Sequence, residues 1–155
     1  MPTIKEAKFK IISVIENLDD AGLPEGDSER TESAAVGYFH CFDGYFLLTY
    51  TESQEGVSVT TEIKCDSDTV RVLRRGAIES DMMFSVGVTH KSVYTVSPYK
   101  FDAEVRARRI RSSLGESGGR LELIYDMKIG GASKSARMSV EVIPSQPPSG
   151  EINGA

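Results

Sequence analysis

The side chains best suited to metal or redox chemistry are two cysteines and two histidines, Cys41, Cys65, His40 and His90. A tetrahedral zinc site would need all four of them to converge. The chain has no C-x-x-C spacing, and the neighbouring His40 and Cys41 on one strand point to opposite faces. We therefore predict no metal and no cofactor. The two thiols either form one disulfide or stay free, and their small number favours free thiols in a reducing compartment.

No set of residues suited to catalysis can be assembled from the sequence. A Gly-rich phosphate loop and the H-E-x-x-H pattern of zinc proteases are both absent. The sequence also places no nucleophile, base and orienting partner together. We therefore expect a protein that is not an enzyme.

The stretch Lys100–Arg111 is strongly basic, with five Lys and Arg residues against two carboxylates. Guanidinium groups bind carboxylates and phosphates through paired hydrogen bonds, so one interpretation is an anion site. The other is a solvated surface strand offset by the acidic segment Glu16–Glu32. Strand alternation favours the second interpretation, because Arg106 and Arg108 then face water.

The pair Arg74 and Arg75 stands just before Gly76, where a glycine can supply the positive φ of a tight turn. Because adjacent strand residues point to opposite faces, only one of the two arginines can enter an interior. An arginine inside would anchor an anionic ligand. The alternative is a salt bridge with Glu79 at the rim, worth about 0–1 kcal/mol.

Length and composition describe an ordinary soluble globular domain. The 155 residues include 39% apolar and 26% charged side chains, with a formal net charge of −5. No apolar run approaches the ~18 residues that a membrane-spanning helix needs, and the first residues lack the apolar core of a secretory signal. We expect a cytoplasmic protein without a membrane segment. The acidic balance argues against nucleic acid, because its binding requires Lys and Arg to neutralise phosphates.

Alternation of apolar and polar side chains is the dominant pattern along the chain. It is clearest in four segments, 57–65, 101–108, 121–129 and 136–142. Such alternation is typical of strands with one buried face. Six further segments share it more weakly, 9–16, 34–42, 45–52, 69–74, 82–86 and 89–96. With about ten strand segments and at most one short helix, the sequence predicts an all-β fold.

Two glycine-containing turns predict strand pairings. Asp43-Gly44 lies between two strand segments and is a strong hairpin signal, for which we expect a type I′ turn with positive φ at both residues. That hairpin would pair Gly37 with Tyr50. Gly130-Gly131 would close a second hairpin. Successive antiparallel strands of this length favour a closed barrel over an open sheet with long edges.

Two segments lack any strand pattern. Residues 17–33 are acidic and interrupted by Gly and Pro, so we interpret them as a long loop that forms a flap over a barrel mouth. Residues 145–155 have no apolar repeat, so we expect a disordered tail there. The barrel domain is accordingly expected over residues 1–144.

The order of several short motifs resembles a known family. The motifs are GYFHCFDGYFLLTYTE with GVSVTTEIK, then RRGAIESDMMFSVGVTHKSVYTVSPY, GGRLELIYDMKIGG and ARMSVEV. Over about residues 8–143 the chain resembles the YwiB-like family of bacterial calycin-type β-barrel proteins. The resemblance implies a closed antiparallel barrel of about eight to ten strands, similar in fold to lipocalins and fatty-acid-binding proteins. It brings no assigned biochemical function with it.

The Asp43-Gly44 hairpin is apolar on both faces, although one face of a hairpin in a barrel lies outside. If Phe39 and Leu48 fill the interior, the side chains that point outward are Tyr38, His40, Phe42, Tyr45 and Leu47. Such an apolar patch indicates a covering element or a partner. The covering element would be the N-terminal segment or the acidic loop, and the partner would be a second copy in a homodimer.

Two functions are compatible with these features. The first is a non-enzymatic barrel that binds a small amphipathic or anionic ligand, with Tyr50 and Tyr94 as contacts and Arg75 or Arg108 as the anchor. The second is an interaction protein with a packed interior that acts through its aromatic outer face. Ligand-sized space inside the barrel would separate the two.

Overall fold

Ten antiparallel strands wrap into a nearly closed barrel in the computed structural model, which describes residues 2–145. The strands are β1 (Thr3–Asn17), β2 (Glu29–Phe42), β3 (Tyr45–Gln54), β4 (Val57–Asp66), β5 (Thr69–Gly76), β6 (Ser80–Ser85), β7 (Thr89–Val96), β8 (Tyr99–Ser112), β9 (Gly119–Ile129) and β10 (Ala132–Pro144). The described residues form no helix, and so no helix of the length and apolar character that a membrane crossing requires. The predicted all-β, calycin-like antiparallel barrel is confirmed.

The sheet order places the first and last strands beside each other in its middle. From edge to edge the order is β6-β5-β4-β3-β2-β1-β10-β9-β8-β7. The edge strands β6 and β7 meet at a seam, where Glu79 and Thr95 exchange backbone hydrogen bonds of 2.9 Å. Five connections lie at one end of the barrel, which we call the upper end: residues 18–28, 55–56, 77–79, 97–98 and 130–131.

The Asp43-Gly44 hairpin joins β2 to β3 in the predicted register, with Gly37 opposite Tyr50. The expected type I′ turn is wrong, because only the glycine has a positive φ, at 88°. Gly44 adopts the left-handed conformation without steric cost, because it has no Cβ. Positive φ at two successive turn residues occurs at Glu55-Gly56, with 53° and 79°, where β3 turns into β4.

The Gly130-Gly131 turn joins β9 to β10 and confirms the second predicted hairpin. Both glycines have positive φ, at 56° and 86°. The register places Ala136, Met138 and Val140 opposite Tyr125, Leu123 and Leu121. A two-residue loop leaves little freedom for register slip, so these turns determine which side chains share a face.

The acidic connection between β1 and β2 is shorter than the predicted loop of residues 17–33. Strand β1 extends to Asn17 and β2 begins at Glu29, so only residues 18–28 lie between the strands. The polar segment 29–33 pairs with residues 11–15 of β1, because backbone hydrogen bonds form whatever the side chains are. Of the predicted tail at 145–155, all but Ser145 lies outside the described residues.

The interior contains rows of side chains that run from strand to strand. One row crosses β2 to β6 and is entirely apolar and buried: Phe39, Leu48, Ile63, Val72 and Met82. Further large side chains fill the interior from the other strands, among them Phe9, Val105, Leu121, Leu123 and Val140. Burial of this apolar surface is the dominant stabilising contribution.

Cys41 and Cys65 are both buried and free. Each lies opposite Phe46, from the two sides of β3. At about 4.8 Å per strand, their Cα atoms lie roughly 9.6 Å apart. That separation exceeds the ~7 Å limit for a disulfide, so the two thiols cannot pair without backbone movement.

Candidate ligand site in the barrel

A polar row lies directly above the apolar row on the inner wall. It consists of Tyr50 on β3, Thr61 on β4, Arg74 on β5 and Ser80 on β6, each opposite the next in the strand register. The two-residue Glu55-Gly56 turn sets the first pairing. We call these four residues the polar row.

Arg74 points inward because it continues the alternation of buried Val70 and Val72 along β5. It is partly buried and lies near the phenols of Tyr50 and Tyr125, whose negative charge its guanidinium would stabilise. Among residues 2–145 no carboxylate forms an ion pair with it. A half-buried guanidinium without a carboxylate partner can bind an anion through paired hydrogen bonds.

Two buried tyrosines line the interior around Arg74. Tyr50 packs on Phe9 at a ring-centroid distance of 5.2 Å, and Tyr125 packs edge-on against Phe84 at 4.7 Å. Burial raises the pKa of Tyr50 to about 12, although Arg74 acts in the opposite direction. Burial also raises the pKa of Tyr125, again opposed by Arg74. Both phenols therefore stay neutral near pH 7 and can donate hydrogen bonds.

We expect stability to fall at alkaline pH through Tyr50. Its pKa is about 12 when folded against 10.0 for the free side chain, so its contribution is complete below pH 10 and is lost as the pH rises towards 12. The slope from this one group reaches at most about 1.4 kcal/mol per pH unit. Urea unfolding between pH 8 and 11.5 should show a flatter pH dependence for Tyr50→Phe than for the wild type. Equal slopes would contradict the assignment.

Two serine hydroxyls on the seam strands make no hydrogen bond within the described residues. Ser80 on β6 is only 7% exposed, and Ser92 lies on the inner face of β7, opposite buried Ala103. A buried hydroxyl without a partner is unfavourable, so both are available to donate to a polar group in the interior. Ser80 adjoins Arg74 in the polar row.

The barrel wall opens between β2 and β3 at the upper end. Their pairing stops at Gly37 and Tyr50, although both strands continue beyond these residues. A cleft of about 610 Å³ lies there, and Arg74 forms part of its lining. Ser33 donates a hydrogen bond to Glu52 across the gap. The other lining residues include Val57, Val59 and Ile78. Of the polar row, Arg74 is thus reachable from outside.

The comparisons with known proteins agree with this architecture. The family model described as a domain of unknown function (DUF1934) matches residues 19–141. The chain belongs to this family. An uncharacterised β-barrel protein, YwiB of Bacillus subtilis (strain 168), is 27% identical over 106 residues, which cover 68% of this chain and 75% of the relative.

The crystal structure of the ywiB protein from Bacillus subtilis superposes with a TM-score of 0.78 at 25% identity. The match covers 92% of this chain and 94% of that chain. The resemblance to the YwiB-like family is therefore confirmed, and the family is one whose function is unassigned.

Of the four predicted ligand contacts, two lie on the inner face of the barrel and two on the outer face. Tyr50 and Tyr94 lie on the inner face, as expected. Arg75 is exposed and pairs with Thr60 on the outer wall, and its neighbour Arg74 faces the interior instead. The sequence did carry a signal for the orientation of Arg74. Val70 and Val72 occupy alternate positions that face the interior, and Arg74 is the next residue in that alternation.

Arg108 is the second correction. It stands at a β-bulge in β8 and points outward, where its Nε lies 3.3 Å from Asp126 and its Nη2 donates to Ser135 Oγ at 2.9 Å. Arg106 is exposed as well, so the basic strand faces solvent as alternation predicted. Sequence reasoning also missed Thr61, Ser80 and Tyr125.

The predicted outer patch exists on β2 and β3. Tyr38 is 52% exposed, and His40, Phe42, Tyr45 and Leu47 are partly exposed. The ring of Phe42 stacks on those of Tyr45, at 4.7 Å, and His40, at 5.9 Å. Strand β1 pairs with β2 edge to edge and leaves the patch uncovered, and the acidic connection lies at the upper end, away from the Asp43-Gly44 turn.

The sequence contains one match to the spacing of a serine-hydrolase motif. Residues 115–119 read G-x-S-x-G, but they form the turn between antiparallel β8 and β9. A nucleophile elbow needs a strand-to-helix turn, so the match has no such meaning here. Within residues 2–145, no three His, Cys, Asp or Glu side chains converge in a way that could hold a metal ion.

Proposed function

We propose that the protein binds a small amphipathic anion, with its charged group on Arg74 and its apolar part against the aliphatic side chains of the cleft between β2 and β3. The observation that carries the proposal is the polar row Tyr50-Thr61-Arg74-Ser80, which ends at an unpartnered, buried hydroxyl. The apolar row below it limits the ligand to the upper part of the barrel.

The chemistry of the site favours a carboxylate or a phosphate. A guanidinium in a poorly hydrated interior binds an anion more strongly than it would in water. Neutral phenols and serine hydroxyls add donors, and Arg74 is the cation in a cleft that the carboxylates of Glu52 and Glu55 also line. Val57, Val59 and Ile78, which line the cleft, supply apolar surface for a hydrocarbon tail. The cleft between β2 and β3 supplies the entrance.

The proposal includes a non-enzymatic role and a cytoplasmic location. No nucleophile with an adjacent base lies among the residues of the polar row, which supports binding without turnover. Two buried free thiols support a reducing compartment.

We expect Arg74→Met to weaken anion binding by tenfold or more. A hydrogen bond to a charged group is worth about 1.5–3 kcal/mol, which corresponds to roughly 10- to 150-fold in affinity. Isothermal titration calorimetry with dodecanoate and dodecyl phosphate measures the effect and tells which head group is preferred. Dodecanol, which has the same tail without the charge, should bind both proteins alike.

Arg75→Met is the matched control, because it removes the neighbouring cation from the outer wall and should leave binding unchanged. Equal weakening by the two substitutions would show that the anion binds outside the barrel. Absence of binding to wild-type protein by either anion would refute the proposal.

A further inference from the structure

The outer face of β2 to β6 carries rows of side chains as regular as those inside. One outward row runs through His40, Leu47, Lys64, Arg71 and Met83, each opposite the next. The neighbouring row, toward the upper end, runs through Tyr38, Thr49, Glu62, Leu73 and Asp81. We call these the cationic row and the acidic row, after Lys64 with Arg71 and Glu62 with Asp81.

Some charges in the two rows form ion pairs within the described part of the chain and others do not. Arg71 and Asp81 form a bidentate ion pair on the surface, with N···O distances of 2.8 and 2.6 Å. Neither Glu62 nor Lys64 takes part in an ion pair within residues 2–145. The Lys64 ammonium lies 4.7 Å from the centre of the Tyr45 ring. Glu62 and Lys64 thus stand two residues apart on β4, beside the aromatic patch. Neither is in a described ion pair, although Glu62 acts electrostatically on Arg71 and Lys64 on Asp66.

We propose that this face binds a second copy of the chain, through a two-fold axis that runs across the strands between the two rows. Such an axis brings the same strand of the two copies face to face and exchanges the two rows. Each residue of one row therefore lies opposite the residue that is two positions away on that strand in the second copy. Glu62 then faces Lys64 of the second copy, and Lys64 faces Glu62. The two charges satisfy each other twice.

The same axis pairs the other residues of the two rows, and it places Arg71 opposite Leu73 and Asp81 opposite Met83 of the second copy. Tyr38 faces His40 of the second copy, so that an exposed ring meets a stacked ring, and Leu47 faces Thr49. Glu62 and Lys64 lie on the central strand of this face, and the aromatic side chains on β2 and β3 lie beside them, where aromatic residues are enriched in protein interfaces. This face carries charges of both signs in balance. A strongly charged partner would need a face with an excess of the opposite sign, so a second copy of the chain is the better match.

Charge reversal tests the arrangement. Sedimentation velocity over a range of protein concentrations should show a dimer for the wild type. Glu62→Lys and Lys64→Glu each place like charges opposite each other and should weaken dimerisation by about tenfold or more. The double variant E62K/K64E restores opposite charges in this geometry only, so it should dimerise within a few fold of the wild type.

Glu32→Lys, on the outer face of β2 near the upper end, is the control and should dimerise normally. A wild type that stays monomeric at about 100 µM would overturn the proposal. A double variant no better than the singles would overturn it as well, because other two-fold arrangements do not pair these residues with each other. Arg74→Met should dimerise normally, which keeps this result independent of ligand binding.

Discussion

Gly37→Ala is expected to destabilise the barrel by about 3 kcal/mol or more, a large share of the ~5–15 kcal/mol by which a typical domain is stable. A Cβ at this position would overlap the Thr49 carbonyl oxygen and lie 2.9 Å from the Tyr50 Cα. Both contacts are with backbone, so no side-chain rotation relieves them. The strands would have to separate just where β3 diverges from β2. Urea unfolding followed by circular dichroism measures the change in free energy.

Gly115→Ala serves as the control for this substitution. Its Cβ would meet nothing within 4 Å, and Gly115 has no positive φ. We expect a change within about 0.5 kcal/mol. If Gly37→Ala proved equally mild, the close approach of β3 over β2 at this point would be wrong. The entrance between the two strands would then lose its structural basis.

Phe9→Ala is expected to cost about 3–5 kcal/mol. The ring is 1% exposed and supports Tyr50, so its removal leaves a cavity under the polar row. The same unfolding measurement applies. Phe101→Ala is a control of the same residue type, since that ring is 39% exposed at the upper end. It should cost about 1 kcal/mol or less. A Phe9 variant as stable as the Phe101 variant would contradict the packing of the interior.

Alternation and two turns were enough to predict the barrel because each acts locally. A two-residue loop fixes register, and register fixes which side chains share a face. The predicted rows around Asp43-Gly44 and Gly130-Gly131 are therefore confirmed residue by residue. The polar segment 29–33 was missed for the opposite reason. It pairs through its backbone, and its side chains give no alternating pattern to detect.

The site residues were predicted less well than the strands, because the face on which a side chain lies depends on pairing with strands that are distant in sequence. Tyr50 was placed correctly, since the Asp43-Gly44 hairpin determined its face. The choice between Arg74 and Arg75 required knowing which side of β5 meets the interior, and that is set by its pairing with β4. Arg108 faces outward, as the alternation of Val105 and Ala107 already indicated, and the bulge there shifts the phase of β8 only for the residues that follow.

The neighbourhood of β1 and β10 has a consequence for biosynthesis. Their contact joins Asn17 to Lys134, 117 residues later in the chain. While a ribosome makes this protein, β1 to β6 can assemble in order of synthesis, but β1 keeps an unpaired edge until β10 emerges. An open edge of this kind is prone to pair with other nascent chains. The interval before β10 appears is thus when the newly made protein most needs a chaperone.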